Sequence, residues 1–348
     1  MQVQKEDIDW ADIVAFVRGD GFLDEWMAKA SHNAGKYVLY ILDDDLLHVP
    51  GELGSGPYYA QKSVQRHIRR VMAYSDCLVS PSQRLRDRYG RYFSSTAPVV
   101  EPSLGGVKQK PAHADGKIHI GFAGSSDRGR DVDLILTDAL VRIARRYGEK
   151  VSISFFGVQT DAARILGCKH YPYTESYDGY RERMKALNWD IGLAPMPDTA
   201  FHACKHYNKL VEYCGYGIAG VYSALPPYED AVEDGVTGLL CENTTDAWAA
   251  ALSRLIEDKT LRKSISRNCL ARAEGEFSIQ AAGEQMRQVL SGIALPKTSR
   301  RVKGCFGWAK IRGLCSWYLE KFKKYGAKTP LVAIRKAWGQ MKKEMGSE

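Results

Sequence analysis

The sequence predicts an α/β chain of two doubly wound, Rossmann-like domains, and three features carry that expectation. Apolar runs of strand length alternate with helical stretches along most of its 348 residues. The runs are almost unbroken in apolar character, as strands buried on both faces require. One glycine-, proline- and lysine-rich segment without periodicity, GGVKQKPAHADGK (104–116), interrupts the alternation and marks a linker. The expected plan is a short N-terminal domain (1–103), that linker, a second domain (117–295) and a tail (296–348).

In the first block, ADIVAFV (11–17) reads as a buried strand, 21–34 as a helix and YVLYIL (37–42) as a second strand. A helix over about 58–74 leads to a short strand at CLVS (77–80). SQRLRDRYG follows as a short helix with Ser82 as its cap, and PVVEPS closes a block of only about four strands. In the second block, IHIGFAG (118–124), VSISFFG (151–157), DIGLAPM (190–196) and GIAGVYS (217–223) read as strands. Helices are expected at 131–147, 176–187 and 204–215, then at about 245–257, 259–274 and 278–292. Two such sheets place a cleft between the carboxyl ends of their strands, where open α/β sheets bind ligands. Helix N-termini there point N–H groups outward and favour a phosphate-bearing ligand.

Charge and cysteine usage exclude several classes. After residue 295 there are 14 basic and 3 acidic residues; before it there are 35 and 38. The net charge of +8 therefore belongs to the tail, whereas a nucleic-acid enzyme would be basic throughout. No apolar run is long enough to span a membrane, and the acidic start MQVQKEDIDWAD lacks a signal core, so a cytoplasmic protein is expected. Eight cysteines form no CxxC pair and no zinc spacing, which fits reduced thiols.

The chemistry concentrates in residues 190–240. On the expected helix 204–215, Lys205, Asn208, Lys209 and Glu212 fall at i, i+3, i+4 and i+7 and share a face. Two cations and a carboxylate on one face suit a nucleoside diphosphate, the cations on phosphate and the carboxylate on ribose hydroxyls. The same pattern is also that of a solvated helix face with internal ion pairs. The loop AGSSDRGRD (123–131) lets backbone approach a phosphate at Gly124 and Ser125, with Arg128 or Arg130 to neutralise it. It could equally be a tight turn with Asp131 as helix cap.

WDIGLAP, the CK…NKLVEY run, the G-I-x-G-V strand, PPY and the DGVTGLL turn resemble, in order and spacing, the donor-binding region of the group 1 family of GT-B glycosyltransferases, over about 115–292. The resemblance implies a GT-B fold and transfer from a nucleotide sugar with retention of configuration. It assigns ribose binding to Glu212, and diphosphate binding and leaving-group stabilisation to Lys205 and Lys209. It places the Val158–Thr160 loop at the nucleobase, and Tyr228 or Glu229, in an expected helix at PPYED, near sugar or acceptor. The family's first glutamate falls at Cys204, a departure shared by a Cys-Lys subgroup. ILDDDLLHVP (41–50) invites a metal reading, but the GT-B resemblance implies no metal and no cofactor. It gives Asp44, with Asp43 or His48, a role at the acceptor or reacting centre; a helix cap or surface turn is the alternative. His67 and His170 read as ordinary polar residues.

In the tail, Trp308, Ile311, Cys315, Tyr318 and Phe322 recur at helical spacing among Lys310, Arg312, Lys321, Lys323 and Lys324, and a second stretch adds Trp338. Such segments suit the anionic inner face of a cell membrane, or packing on the body or a partner. The expected partners are a nucleotide sugar, a glycan or lipid-linked glycan acceptor and the membrane surface, with no nucleic acid. The short first domain leaves acceptor recognition reduced or supplied by a partner glycosyltransferase. Two other readings are a non-catalytic nucleotide-binding subunit of a glycan-assembly complex and a sugar-nucleotide epimerase.

Overall fold

The computed structural model describes residues 3–99, 101–103, 105–107, 110–295, 300–302, 309–310 and 312–313. The chain forms two compact units. Residues up to Val99 and the described residues from Gln288 on make the first; the intervening chain to Arg287 makes the second.

The first unit runs α1 (Lys5–Trp10), β1 (Ile13–Val17), α2 (Phe22–Asn33), β2 (Tyr37–Ile41), α3 (Gly56–Tyr59), α4 (Lys62–Ala73), β3 (Cys77–Ser80), α5 (Gln83–Tyr89) and β4 (Ser95–Pro98). Its strands are all parallel and lie in sequence order, so their winding never reverses. Ser82 Oγ accepts the Leu85 N–H and caps α5 as expected. Apolar residues at helical spacing on α4 (Val64, Ile68, Val71, Met72) are buried, as are Val38, Tyr40, Leu78 and Val79 on the strands. His67 is buried too, and its Nδ1 meets Glu25 Oε2 at 2.6 Å, joining α4 to α2.

The start of the tail packs on this unit rather than forming a separate segment. Arg300 N–H donates to Ala34 O (2.8 Å) and Val302 N–H to Asp9 Oδ1 (2.6 Å). Val302 is buried with Ile8 and Ala34, and the Arg312 guanidinium lies 4.8 Å over the Phe22 ring. The amphipathic pattern expected through Trp308, Ile311, Cys315, Tyr318 and Phe322, and Trp338 beyond it, lies outside the described residues.

The second unit runs β5 (Ile118–Ala123), α6 (Gly129–Tyr147), β6 (Val151–Phe156), α7 (Asp161–Leu166), β7 (Lys169–Tyr171), α8 (Tyr177–Leu187), β8 (Ile191–Ala194), α9 (Asn208–Tyr216), β9 (Ala219–Ser223), β10 (Leu239–Cys241), α10 (Thr245–Glu257), α11 (Lys259–Glu274) and α12 (Ile279–Ser291). α12 ends in the residues that rejoin the first unit. The six parallel strands lie in the order β10-β9-β8-β5-β6-β7, so the winding reverses between β5 and β8. At such a switch point the loops after the two central strands diverge and leave a ligand crevice. Short α7, β7 and β10 were not expected. Elements of three to six residues are too short to show a readable period.

The segment expected as a linker belongs structurally to the second unit. Ser103 N–H donates to Phe277 O (2.7 Å) and Val107 N–H to Gly215 O (3.1 Å). The core explains the unbroken apolar strands: Ile120, Phe122, Phe155, Ile191, Leu193 and Val221 are buried with α6 (Val132, Leu136, Leu140) and α10 (Trp248, Leu252). Trp189 is fully buried, donates to Ser154 Oγ (2.8 Å), and lies directly over Gly121. A Cβ at 121 would fall 1.9 Å from its ring, closer than repacking can relieve. Gly121→Ala is therefore expected to cost about 3 kcal/mol, read as a lower urea midpoint at unchanged slope.

Candidate functional site at the switch point of the second sheet

Most of the expected donor-site residues come from the loops after β5 and β8 and the helices that follow. After β5, Gly124 N–H bonds Phe156 O (3.0 Å), and Ser125 O accepts the Arg128 N–H (3.0 Å). This tight turn aims Arg128 across the switch point, where Nη2 donates to Pro195 O at the end of β8 (2.9 Å). Asp131 is not the helix cap; it lies in the first turn of α6, buried, with Oδ2 3.3 Å from Arg128 Nη1. Arg130 is exposed on α6.

The expected helix 204–215 starts four residues late. A 3-10 turn, His202–Cys204, is followed by extended Lys205, and α9 begins at Asn208. Lys205 therefore shares no helical face with Lys209 and Glu212. Its Nζ lies 4.6 Å over the Phe201 ring, and Cys204 is buried. Asn208 is exposed, with Oδ1 2.7 Å from His206 Nδ1. Tyr207 provides no side-chain cap to α9, and its carbonyl accepts the Leu210 N–H (2.9 Å).

Glu212 sits inside the first two turns of α9. Tyr180 donates its hydroxyl to Oε1 and Lys209 its ammonium to Oε2. The solvated-face reading thus holds in part, because Lys209 and Glu212 are paired. The pair is only 21% and 17% exposed, however, and Lys209 Nζ lies 5.8 Å over Phe122 and 5.9 Å over Tyr213. An ionised carboxylate offers about four acceptor positions, so two remain for a ligand. Burial, then the Glu212 charge, pushes the Tyr180 hydroxyl far above the usual tyrosine range and keeps it a donor.

Sequence reasoning missed the aromatic wall beside Glu212. Tyr180 stacks on Phe156 (5.1 Å, 18°) and Tyr177 lies parallel to Tyr180 (6.1 Å, 20°). Tyr177 and Tyr173 are more than half exposed. The i, i+3 spacing of the two tyrosines in YDGYRERM was the available signal. Three expected contacts are corrected. Val158 is wholly buried in the core, and Thr160 Oγ1 caps α7 by accepting the Ala163 N–H (3.0 Å), so neither side chain lines a base pocket. Tyr228 is buried, 4.9 Å from the Tyr222 ring; PPYED forms turns, not a helix, and leaves Glu229 exposed. Tyr228 lies within electrostatic range of both Arg128 and Glu212.

In the first unit the three aspartates divide their work. Arg18, at the end of β1 with left-handed φ of 51°, pairs with Asp43 and reaches Asp44 Oδ2 at 3.3 Å. Bulky residues adopt that backbone only where surroundings impose it. Asp45 is fully buried and accepts from Arg88 and the Tyr89 hydroxyl, with His48 Nδ1 at 3.0 Å. The run is thus two carboxylates on a guanidinium and one internal anchor. Among the described residues, potential metal ligands gather at His113, Asp115 and His119, within 4.8 Å of one another. They lie at the N-terminal edge of β5, the opposite edge from Arg128 and Glu212. The six described cysteines are free.

Solved structures share this architecture. Anabaena HepE in complex with UDP and glucose is similar over 81% of this chain and 78% of its own, at 15% identity and a TM-score of 0.59. The lipopolysaccharide outer core galactosyltransferase WaaB is similar over 81% and 76%, at 16% identity and 0.54. A UDP-forming α,α-trehalose-phosphate synthase from Burkholderia xenovorans is similar over 84% and 75%, at 13% identity and 0.56. Two parallel-sheet α/β units define the class, and the fold is GT-B, as the sequence resemblance implies. No protein-family model and no curated protein matches the chain.

Proposed function

We propose that the protein is a glycosyltransferase that moves a sugar from a nucleoside diphosphate sugar to a hydroxyl of a lipid-linked or cell-surface glycan. The observation that carries this is Glu212, oriented by Tyr180 and Lys209 at the switch point where Arg128 and Lys205 also gather. Glu212 accepts the ribose hydroxyls, with the Tyr177–Tyr180 wall and the Gln159 loop toward the base. Arg128, Lys205, the N-terminus of α9 and, once the donor is bound, Lys209 take the diphosphate and stabilise it as it departs. These cations serve in place of a metal. Retention of configuration follows the group 1 resemblance. UDP and UDP-glucose complexes of HepE favour a uridine donor.

The acceptor side is the first unit, where Asp44 and Asp43 stand at the end of β2 with Arg18. Peripheral binding to the anionic inner face of a membrane is supported by the exposed basic face of α4 (Lys62, Arg66, Arg69, Arg70) and the basic tail. Among the described residues no helix is long and apolar enough to cross a membrane. A second reading, a nucleotide-binding subunit of a glycan-assembly complex that recruits a partner transferase, is favoured by buried Cys204, which presents no carboxylate to a sugar.

A thermal-shift screen with UDP, GDP, dTDP, CMP and their sugars, followed by transfer assays with lipid-linked acceptor, separates the readings. Stabilisation by one nucleoside diphosphate with transfer of its sugar is the expected result. Binding without transfer or hydrolysis selects the subunit reading, and no stabilisation by any of them removes both.

A further inference from the structure

His202 lies in the 3-10 turn between β8 and α9. It is 4% exposed. Its Nδ1 stands 2.8 Å from Thr199 Oγ1, and the same oxygen accepts the His202 backbone N–H at 3.2 Å. The Thr199 hydroxyl can donate its proton to Nδ1, and in that arrangement the ring proton sits on Nε2. Nε2 finds no hydrogen-bond acceptor among the described residues although it is buried. Asp131 Oδ2 is 4.0 Å away, beyond hydrogen-bond reach. Burial, then Arg128 and Lys205, lowers the imidazole to about 4, so it is neutral at working pH. The Phe201 ring packs on it in a T-shaped contact at 5.2 Å, and Lys205 Nζ lies 4.6 Å from the same ring's centroid.

A buried N–H donor without an acceptor is costly in a finished fold and is expected to be matched by something that arrives. It stands with Arg128 and Lys205, two of the cations already placed on the leaving group. We infer that His202 donates Nε2–H to the terminal phosphate of a bound nucleoside diphosphate, and so discriminates diphosphate from monophosphate. This rests on the donor-site reading above. The neutral ring adds a directed donor without adding charge, and a Thr199 hydroxyl donating to Nδ1 supports that tautomer.

The test measures binding of UDP and UMP, with GDP/GMP and dTDP/dTMP in parallel, by calorimetry to wild type, His202→Ala and His202→Gln. His202→Ala is expected to weaken the diphosphate about tenfold, with the monophosphate changed less than about twofold. His202→Gln, whose amide can present an N–H in the same direction, is expected to recover part of the loss. In wild type, the 15N resonance of His202 Nε2 should shift on adding the diphosphate and not the monophosphate, a readout that survives if a variant fails to fold. Equal weakening of both ligands, or no Nε2 shift with the diphosphate, overturns the inference and leaves the donor site standing. Wild type that binds none of the diphosphates overturns both.

Discussion

Glu212→Ala is expected to lower donor turnover by at least about a hundredfold, an effect larger than the accompanying loss of stability. A charge-assisted hydrogen bond contributes about 1.5–3 kcal/mol, and a carboxylate spanning two ribose hydroxyls makes two of them. Losing about 3 kcal/mol already corresponds to two orders of magnitude. The change also releases Lys209 and leaves Tyr180 without its acceptor, so the aromatic wall loses its tether to α9. Glu212→Gln keeps the shape and one acceptor oxygen but not the charge, and should fall between. The carboxylate is partly exposed, which is why the fold should tolerate both. Initial rates with the best donor from the nucleotide screen decide the matter. Wild-type turnover by Glu212→Ala would remove Glu212 from the site.

Asp45→Ala should have the largest effect on stability in the first unit, a loss of about 3 kcal/mol. The carboxylate is wholly buried and joins three separate donors: Arg88 and Tyr89 from α5, and His48 from the loop after β2. Removing it takes a fully buried anionic acceptor from the guanidinium and from the tyrosine hydroxyl, and breaking a buried charged pair is costly. Asp45→Asn keeps an acceptor oxygen and should recover a part. Urea unfolding measures both, and the same change should leave nucleotide affinity untouched, because the binding residues belong to the second unit. A midpoint shift worth under about 0.5 kcal/mol, the scale of ordinary surface substitutions, would show that the loop does not depend on Asp45.

These two aspects of the protein were legible to different degrees. The buried strands and the long helices stood out because their periods are set by local sequence; β3, α10 and α11 match their expected ranges residue for residue. The sequence pointed to Arg128, Lys205, Lys209 and Glu212 together because they follow strands at whose carboxyl ends open α/β sheets bind ligands. What failed was orientation within the group. The 3-10 turn at His202–Cys204 removed Lys205 from the helix face, and Val158 and Tyr228 turned into the core. Tyr180 escaped notice because its partner, Glu212, is 32 residues away in sequence. Arg18 escaped for the same reason, its carboxylate partner lying 25 residues on.

The sequence by itself determined the alternation of strands and helices and the GT-B class. These depend on apolar periodicity and on residue order, both of which are local. Tertiary structure alone decided the reversal of winding between β5 and β8, the separation of Asp45 from Asp43 and Asp44, the return of the chain after Gln288 to the first unit, and the pairing of Glu212 with Tyr180. Each of these joins residues far apart in the chain, and which polar groups meet is settled only when the elements pack and every buried donor must find its acceptor.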